Sequence, residues 1–442
     1  TLTVSSAASD VYKRQSTHKY DAWDHFKVDD TFGGDEALKD LIKEAHSRDM
    51  KVVLDCSLNH VHPRHFAFQD IVEKGEKSEY KDWFTVFDYP VRFLHRPHLY
   101  ANTYKVGWDG NAEEYKTYLE KTFKETKVPV EVVDDDGPII EPTFKAWWGV
   151  PDMPKINFKN DGARQWALDV TEHWIKNFDI DGWRMDVAKE LDFSFWKDFR
   201  DVAYSAKKDI LLISEIFGDT SQWLQGERFD GTMNYSFRET MTDYFATKRI
   251  DNKEFANSLA NLYSMYSFEA LSSCQNLLSS HDVKRFLNRC GANTDGMFGA
   301  VFLQATFPGI AGIYYGDEIG LGGADDPFNR EPFPWESEDK WNKDLLKFTS
   351  ELMNIKTSQP ILRYGNFEMV TYDDNYVIFR RVLNDESLLC IVNRDLNNKD
   401  IELNTNAHSV DMVYGDCSIE LDSGKLKITD IADNFGLIIK ES

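Results

Sequence analysis

The sequence predicts an α/β protein in which parallel strands alternate with amphipathic helices, followed by a small antiparallel β domain. Between residues 51 and 320, short apolar runs follow helical segments in regular alternation, as in strand–helix–strand units with right-handed crossovers. A parallel sheet of this length is either doubly wound or closed into a barrel. From about residue 364 the pattern becomes alternating polar and apolar, which is typical of antiparallel strands.

Six strands are predicted in the first part, each around a short apolar run. They are KVVLDCSLNH (51–60), IDGWRMDVA (180–188), ILLISEIF (210–217), FDGTMNYSF (229–237), CQNLLSSHD (274–282) and GIAGIYYGDEIG (309–320). Residues with a helical period lie between them, at 35–50, 162–178, 195–208, 252–266 and 297–307. No glycine-rich phosphate loop opens these helices, which argues against nucleotide binding.

Two regions break this alternation. Residues 61–150 are aromatic, charged and irregular, and they predict an inserted domain over the strand ends, where loops carry function. Residues 363–442 contain the runs FEMVTYDDNYVIFRRV, SLLCIVN, SVDMVYG, KLKITDI and FGLIIKE. These runs predict a C-terminal antiparallel β-sandwich.

Composition excludes several classes of partner. The net charge of −24 makes nucleic acid an unfavourable partner, because phosphate binding needs a basic face. No run approaches 18 apolar residues, so no membrane-spanning helix is predicted. The five cysteines are scattered and show neither a disulfide framework nor metal-ligand spacing. With no signal-like segment at the start of the sequence, a cytoplasmic location is expected.

Polar residues collect where the predicted strands end, the face of a barrel that carries active sites. They are Asp55, Asn59, His60, Arg184, Asp186, Glu215, His281 and Asp282. Arg184 and Asp186 are two residues apart, so they should share one side of their strand. We expect Arg184 to lower the pKa of Asp186 and to keep it ionised as a nucleophile.

Glu215 lies on the next predicted strand among apolar neighbours. Desolvation should raise its pKa and leave it protonated as a general acid. Neighbouring strands are roughly 4.8 Å apart. That spacing suits the carboxyl separation of retaining glycosidases, about 5–5.5 Å, better than the longer separation of inverting ones.

Each of these motifs also has a structural interpretation. An isolated Arg-x-Asp at a strand end is usually an ion pair, and His281 with Asp282 could cap a helix. HVHPRH (60–65) could bind a metal, although its spacing matches no common pattern. VVDDDG (132–137) could hold calcium, although a solvated turn is favoured. The ordered occurrence of the carboxylates on successive strands favours catalysis over these alternatives.

Taken together, DCSLNH, GWRMDVAKE, ISEIFGD and LLSSHD resemble the four ordered motifs of the α-amylase family of glycoside hydrolases. MPKIN (153–157), ERFDGTMNYSFRETMTDYFA and YYGDEIGLGGADDP resemble its neopullulanase, cyclomaltodextrinase and maltogenic amylase branch. The resemblance covers roughly residues 16–440. It implies a (β/α)8 TIM barrel, an inserted domain after strand 3 and a C-terminal β-sandwich.

The resemblance also implies roles for individual residues. Asp186 would be the nucleophile and Glu215 the acid/base of a double displacement through a covalent glycosyl-enzyme. Asp282 would bind sugar hydroxyls and help distort the ring. The remaining matched residues would bind substrate, and they are Tyr20, His60, Arg184, Lys189, His281, Asp326 and Arg330.

Two departures from the branch fall where leaving-group sugars bind. Lys189 stands where the branch usually has Asn, a choice more like endo-acting α-amylases. Phe217 and Gly218 replace the usual Trp-His after the acid/base. The preference among cyclodextrin, pullulan and linear dextrin therefore stays open.

The start of the chain departs further from the family pattern. In the family, STHKYDAWD directly follows the second barrel strand, whereas here only TLTVSSAASDVYKRQ precedes it. We therefore expect residues 1–15 to be an unrelated leader and the barrel, 16–60 and 151–362, to lack its first two strands. Such a barrel exposes parallel edges, which predicts poor folding or inactivity of this chain.

The predicted function is that of a cytoplasmic, retaining α-glucan hydrolase acting on α-1,4 bonds in maltodextrins or cyclodextrins. The alternatives are a transglycosylase or an α-1,6-glucosidase of the same family, or a non-catalytic binding subunit. The expected partner is an oligosaccharide or cyclodextrin, and the intact parent could be a homodimer. No cofactor is predicted and no metal ligand is assigned, with calcium left open.

Overall fold

The computed structural model describes residues 4–5, 12–13, 20–106, 111–394, 399–432 and 435–442. The α-helices of this part of the chain are α1 (Gly34–Ser47), α2 (Phe66–Lys74), α3 (Ala112–Thr126), α4 (Asp161–Phe178), α5 (Phe195–Ala206), α6 (Tyr235–Met241), α7 (Asn252–Ser264), α8 (Phe268–Ser273), α9 (Phe286–Arg289), α10 (Asp295–Thr306), α11 (Lys343–Ser358) and α12 (Pro360–Tyr364).

The β-strands are β1 (Val4–Ser5), β2 (Tyr12–Lys13), β3 (Asp24–Val28), β4 (Val53–Cys56), β5 (Phe93–His95), β6 (Val130–Val132), β7 (Ile140–Pro142), β8 (Gly182–Met185), β9 (Leu211–Ser214), β10 (Gly231–Thr232), β11 (Gln275–Leu277), β12 (Ile310–Ile313), β13 (Asn366–Tyr372), β14 (Val377–Leu383), β15 (Glu386–Val392), β16 (Ile401–Asn404), β17 (Val410–Tyr414), β18 (Ser418–Asp422), β19 (Lys425–Thr429) and β20 (Gly436–Glu441). All six strands predicted between residues 51 and 320 are present.

The chain divides into two compact units. The N-terminal unit is Ser9–Glu215, and the C-terminal unit is Ile216–Ser442 together with Thr1–Ala8. Most of the predicted leader, residues 1–15, lies outside the described residues, so its being unrelated to the family stays a prediction. In the described ranges, no helix has the length and apolar character that crossing a membrane requires.

Three parallel strands form the centre of the N-terminal unit. β4 pairs with β8, and β8 pairs with β9. Every residue of β8 is buried, as expected for a strand in a parallel sheet covered on both faces. The register places Asp55 directly opposite Arg184, so the sheet itself brings these two side chains to the same level.

Helix α4 packs against α5, β3 and α1 and is held at both ends. The Asn160 side chain caps its first turn by accepting a hydrogen bond from the Ala163 amide at 3.1 Å, as N-cap residues do. The helix ends where Asp179 adopts a left-handed backbone with φ of 58°. Midway along α4, the buried Trp174 donates its indole N–H to the His25 carbonyl at 2.7 Å.

The region predicted as irregular, residues 61–150, contains regular structure. It has helices α2 and α3 and the small sheet β6–β5–β7. Asn111 and Glu114 form a capping box at the start of α3. The core of the region 61–150 is aromatic and includes Phe68, Phe84, Phe93 and Phe144.

The C-terminal unit begins with the other predicted parallel strands. β11 and β12 are parallel, and β1 pairs in parallel with β12. Met233, just after β10, forms a parallel bridge with Gln275 at the start of β11. Helix α10 is buried along nearly its whole length, which places the core of this part of the unit around it.

The end of the chain forms two antiparallel sheets. Their strand orders are β13–β14–β15–β20–β17 and β16–β19–β18. Apolar residues of both sheets share one buried cluster, including Ile378, Leu389, Leu426 and Ile428. Two of the strands, β16 with the sequence IELN and β18 with the sequence SIELD, were not predicted.

Candidate active site

Four charged side chains of the N-terminal unit meet where β4, β8 and β9 end. Arg184 donates from Nη1 to Asp55 Oδ1 at 2.7 Å and to Asp186 Oδ1 at 3.1 Å. Its second amino group, Nη2, lies 2.6 Å from Glu215 Oε1. All four side chains are buried. Three carboxyl groups therefore surround a single guanidinium group in a buried site.

The backbone holds the two predicted catalytic carboxyl groups in place. The Asp186 amide donates to the Cys56 carbonyl at 2.9 Å, and the Glu215 amide donates to the Met185 carbonyl at 2.9 Å. Asp186 therefore extends the pairing of β8 with β4 by one residue, and Glu215 extends the pairing of β9 with β8 by one residue. Between them, the Val187 amide donates to Glu215 Oε2 at 3.3 Å. Val187 has φ of 40°, a strained conformation for a β-branched residue.

The charge balance of this group differs from the one predicted. Burial, together with the negative charges of Glu215 and Asp55, raises the pKa of Asp186 well above its usual range, although Arg184 acts to lower it. Arg184 thus acts in the predicted direction, but the expectation that it keeps the pKa of Asp186 low enough for ionisation is wrong, because burial and the neighbouring carboxylates outweigh it. One cation cannot balance three buried carboxylates, so Asp186 and Glu215 titrate as a pair that retains a proton.

Arg184 itself stays charged in this setting. Burial alone would lower the pKa of Arg184, but the attraction of Asp55, Glu215 and Asp186 outweighs it and raises that pKa well above its usual range. Arg184 therefore keeps its positive charge whichever of the two carboxyl groups, Asp186 or Glu215, carries the proton.

Two further predicted residues lie in the N-terminal unit near the end of β4. Tyr20 donates its hydroxyl to Asp55 Oδ2 at 2.7 Å, and its ring centroid is 5.9 Å from the Arg184 guanidinium. Tyr20 thus belongs to the same hydrogen-bonded cluster as Asp55 and Arg184. His60 lies in the segment after β4, with Nδ1 3.1 Å from the side-chain nitrogen Nδ2 of Asn59.

Lys189 lies three residues beyond Asp186 and is exposed. It belongs to a short 3-10 helix, Ala188–Glu190. The next residue, Glu190, pairs with Lys155 at 2.8 Å. The structure therefore places the Lys189 side chain in solvent close in sequence to the carboxyl pair.

The other predicted site residues form a second group, within the C-terminal unit. His281 Nε2 lies 2.9 Å from Asp282 Oδ2. Arg330 Nε lies 3.2 Å from Asp326 Oδ1, and Nη2 of the same residue lies 3.8 Å from Asp282 Oδ1. Arg330 also donates to the His281 carbonyl at 3.1 Å. Asp282 and Asp326 keep part of their surface open to solvent.

The histidines of the motif HVHPRH do not form a metal site in the part of the chain that the structure describes. His62 Nδ1 accepts a hydrogen bond from the Arg64 amide at 3.1 Å. Burial lowers the pKa of His65 to about 3, so this ring is neutral in the core. Among the residues that the structure describes, no three His, Cys, Asp or Glu side chains are grouped as metal ligands.

The VVDDDG stretch is tied to the protein by an ion pair. Asp135 accepts hydrogen bonds from Arg96 and, at 2.9 Å, from the Gly137 amide. These contacts lower the pKa of Asp135, with the Arg96 hydrogen bond as the largest cause. The turn therefore has a structural role as an anchor for Arg96.

The sequence reasoning noted Asp55 at a strand end but gave it no role. The signal that could have found it is the pairing of β4 with β8, which sets Asp55 opposite Arg184. It also missed Asn329, which donates to the His281 carbonyl at 2.8 Å and to the Val283 carbonyl at 3.1 Å. No sequence pattern marks such an asparagine before the loop is folded.

The family model described as "Alpha amylase, catalytic domain" matches residues 8–129 and 143–359. The chain therefore belongs to the α-amylase family. It has the TIM-barrel fold of that family with a C-terminal β-sheet domain, as predicted.

Relatives with known names support the predicted branch. The chain is 32% identical over 395 residues to a cyclomaltodextrinase of Thermoanaerobacter pseudethanolicus, covering 89% of this chain and 61% of the relative. It is 35% identical over 385 residues to neopullulanase 2 of Thermoactinomyces vulgaris, covering 87% and 58%. The chain thus spans about three fifths of the length of these curated relatives.

A solved structure gives the same picture. The ligand-free cyclic α-maltosyl-(1→6)-maltose hydrolase from Arthrobacter globiformis superposes with a TM-score of 0.78 at 27% identity. The likeness covers 98% of this chain and 84% of that one.

Proposed function

We propose that this chain carries the catalytic carboxyl pair of a retaining α-glucan hydrolase that cleaves α-1,4 bonds in maltodextrins or cyclodextrins. One observation carries the proposal. Asp186 and Glu215 end neighbouring parallel strands and contact the two amino groups of the same guanidinium group, at 3.1 and 2.6 Å. Two carboxyl groups that contact one guanidinium group lie near each other, as the short carboxyl separation of retaining enzymes, about 5–5.5 Å, requires.

The charge state of the pair suits a double displacement. When one proton is shared, Glu215 can hold it while ionised Asp186 attacks the anomeric carbon. Glu215 then gives the proton to the departing glycosidic oxygen, and a bond forms between Asp186 and the sugar. In the second half, Glu215 takes a proton from water, whose oxygen displaces Asp186 and retains the α configuration.

Arg184 and Asp55 set this charge state without reacting. The guanidinium stabilises the carboxylate of Asp186 before attack and after release. Asp55 holds Arg184 at 2.7 Å and receives the Tyr20 hydroxyl, so it fixes both groups around the pair. Tyr20 is proposed to stack on the sugar ring whose bond is cleaved.

The second group of residues is proposed to bind substrate hydroxyls. Asp282 would bind the reacting sugar and help distort its ring, beside His281. Asp326 and Arg330 would contact the sugar further toward the non-reducing end. The ion pairs of Arg330 with both aspartates support a polar, preorganised surface suited to sugar hydroxyls.

The finer organisation of the chain belongs to the same proposal. Residues 61–150 are proposed as a domain inserted after the strand β4, and 363–442 as the β-sandwich domain. That the barrel lacks its first two strands stays a prediction, as do the cytoplasmic location and a homodimeric parent. The reaction uses only carboxyl groups and water, so no cofactor is proposed.

The proposal is tested by the configuration of the first product. Proton NMR of the chain acting on maltotriose or β-cyclodextrin should show new α-anomers before mutarotation. A β-anomer appearing first would overturn the retaining mechanism. No increase in reducing ends from a chain that melts cooperatively by circular dichroism would overturn hydrolysis and favour a non-catalytic binding role.

Cleavage of α-1,6 bonds is the second candidate. It is favoured by the likeness to a protein named cyclic α-maltosyl-(1→6)-maltose hydrolase. Panose separates the two, because α-1,4 cleavage gives glucose and isomaltose, whereas α-1,6 cleavage gives maltose and glucose. Products longer than the substrate would show that transglycosylation dominates.

A further inference from the structure

Trp148 combines two features that a folded core does not require. Its side chain is 85% exposed, so it contributes little to hydrophobic stability. Its backbone is left-handed, with φ of 51° and ψ of 19°, which is unusual for a bulky residue. A strained residue that gains no burial is a reason to look for function.

The residue before it continues the aromatic surface inward. Trp147 and Trp148 have ring centroids 5.6 Å apart. Trp147 in turn stacks on His60, with centroids 5.1 Å apart and ring planes 18° from parallel. The three rings run in order from a residue that follows β4 out to solvent.

The turn that carries these rings is fixed to the segment after β4. The Trp147 amide donates to the Met153 carbonyl at 2.9 Å. His60 and Lys155 form an antiparallel bridge. The rings of Trp147 and Trp148 are therefore presented by an anchored turn, with His60 buried behind them.

The same turn is joined to the segment after the nucleophile. Lys155, which bridges to His60, also pairs with Glu190 at 2.8 Å. Glu190 is the neighbour of Lys189, the residue whose identity departs from the branch where leaving-group sugars bind. This link joins the turn that carries the aromatic rings to the segment that carries Lys189.

We propose that Trp147 and Trp148 form a stacking platform for a glucosyl unit of the leaving-group part of an α-glucan, an inference that rests on the proposed hydrolase function. The flat ring faces match the apolar C–H faces of a pyranose, and Trp148 offers such a face to solvent. The platform selects for chains long enough to extend beyond the bond that is cleaved.

Paired substrates test the platform in the full chain. The kcat/KM of Trp148→Ala for maltohexaose should fall by about fivefold to tenfold, the range expected for one lost aromatic contact. The kcat/KM for α-maltosyl fluoride should not change, because fluoride leaves no sugar on the platform. Trp148→Phe should retain most of the activity on maltohexaose.

A matched control variant and a melting measurement separate stacking on the sugar from a loss of folding. Phe87→Ala removes another exposed aromatic side chain of the same unit, 67% exposed, and should leave both substrates unaffected. Trp148→Gly should melt at the parent temperature or above it, since glycine accepts a positive φ, while losing maltohexaose activity. An equal effect of Trp148→Ala on both substrates, or no effect on either, would overturn the platform.

Binding separates this inference from the proposed reaction. In Glu215→Gln chains, calorimetry with maltohexaose should give a Kd about fivefold to tenfold weaker when Trp148 is also Ala. If the parent chain hydrolyses neither substrate, the proposed function fails, yet this binding difference still decides the platform. Equal Kd values in the two variants would show that Trp148 does not bind the chain.

Discussion

The two ends of strand β8 each carry a buried aspartate, and their surroundings differ in one respect. Asp181 lies directly before the strand and Asp186 directly after it. Asp181 is contacted by three basic side chains, His46 at 2.7 Å, Lys207 at 2.9 Å and Lys51 at 3.1 Å. Asp186 shares its one basic neighbour, Arg184, with two other carboxyl groups.

The two aspartates therefore titrate in opposite directions. Burial acts to raise the pKa of Asp181, but hydrogen bonds from the Val52 amide, Lys207, His46 and Lys51 outweigh it and hold that pKa well below its usual range. The pKa of Asp186 lies well above its usual range. Burial is common to both, so the ratio of carboxyl groups to cations decides the outcome.

The comparison shows how one strand can carry stability at one end and chemistry at the other. An aspartate surrounded by cations holds a fixed charge and joins elements of the fold. A carboxyl pair with too few cations must keep a proton that it can transfer. This division matches the general rule that barrel enzymes place catalysis at the carboxyl ends of their strands.

The largest effect on kcat is expected when one member of the carboxyl pair is removed. In Asp186→Ala or Glu215→Gln, kcat on maltohexaose should fall by roughly 10³-fold or more, because nucleophilic and general acid steps are lost. Circular dichroism should show an unchanged fold. Turnover within tenfold of the parent in either variant would rule out the assigned roles.

The same change at the other end of β8 should act on stability. Asp181→Asn removes the buried carboxylate that His46, Lys207 and Lys51 contact, and the free energy of unfolding should fall by about 2 kcal/mol at pH 7. Urea denaturation measures it. Because the folded pKa is depressed, this contribution is present above pH about 4 and is lost as the pH falls further. The kcat of the folded variant should match the parent.

A difference between parent and Asp181→Asn that stays constant from pH 7 to pH 3 would contradict this linkage. A large loss of kcat in the folded variant would show that the two ends of β8 are not functionally separate.

A smaller effect is expected on the pKa of the carboxyl pair when the number of neighbouring negative charges is reduced. Asp55→Asn removes one negative charge beside Asp186 and should lower the pKa of the carboxyl pair. The acidic limb of the kcat/KM profile should then move to lower pH by about half a unit to one unit. Asp181→Asn is the matched control and should leave the limb in place. A limb that stays in place or moves to higher pH in Asp55→Asn would contradict the account.

The smallest expected effect concerns the exposed residue beyond the pair. Lys189→Asn should change the lengths of the products from linear dextrins with little change in kcat for α-maltosyl fluoride. Chromatography of the products measures the change. An identical product profile would remove Lys189 from the leaving-group side.

The sequence predicted those parts of the site that depend on local spacing. Arg184 and Asp186 face the same side because they are two residues apart near one strand end. Glu215 joins them because the next predicted strand lies beside the first. The role of Asp55 depends on the register between strands far apart in sequence, which no local pattern reveals.

The features that the sequence did not predict depend on tertiary context. The raised pKa of Asp186 follows from a count of neighbouring charges in the fold, so the Arg-x-Asp pattern alone gave the wrong direction. Helix α3 was missed although Asn111 and Glu114 have capping-box spacing, because the surrounding region looked irregular. The left-handed backbone of Trp148 is imposed by its turn and has no sequence signature.

Covalent trapping of the sugar distinguishes an Asp186 that attacks the anomeric carbon from one that only stabilises charge. In Glu215→Gln chains, α-maltosyl fluoride needs no acid to release fluoride, whereas the missing base slows release of the sugar. Mass spectrometry of the digested protein should find one maltosyl group on the peptide that contains Asp186. Two results together would contradict a nucleophilic role for Asp186. They are an Asp186 peptide without a maltosyl group, and fluoride release from Glu215→Gln that is no faster than from Asp186→Ala.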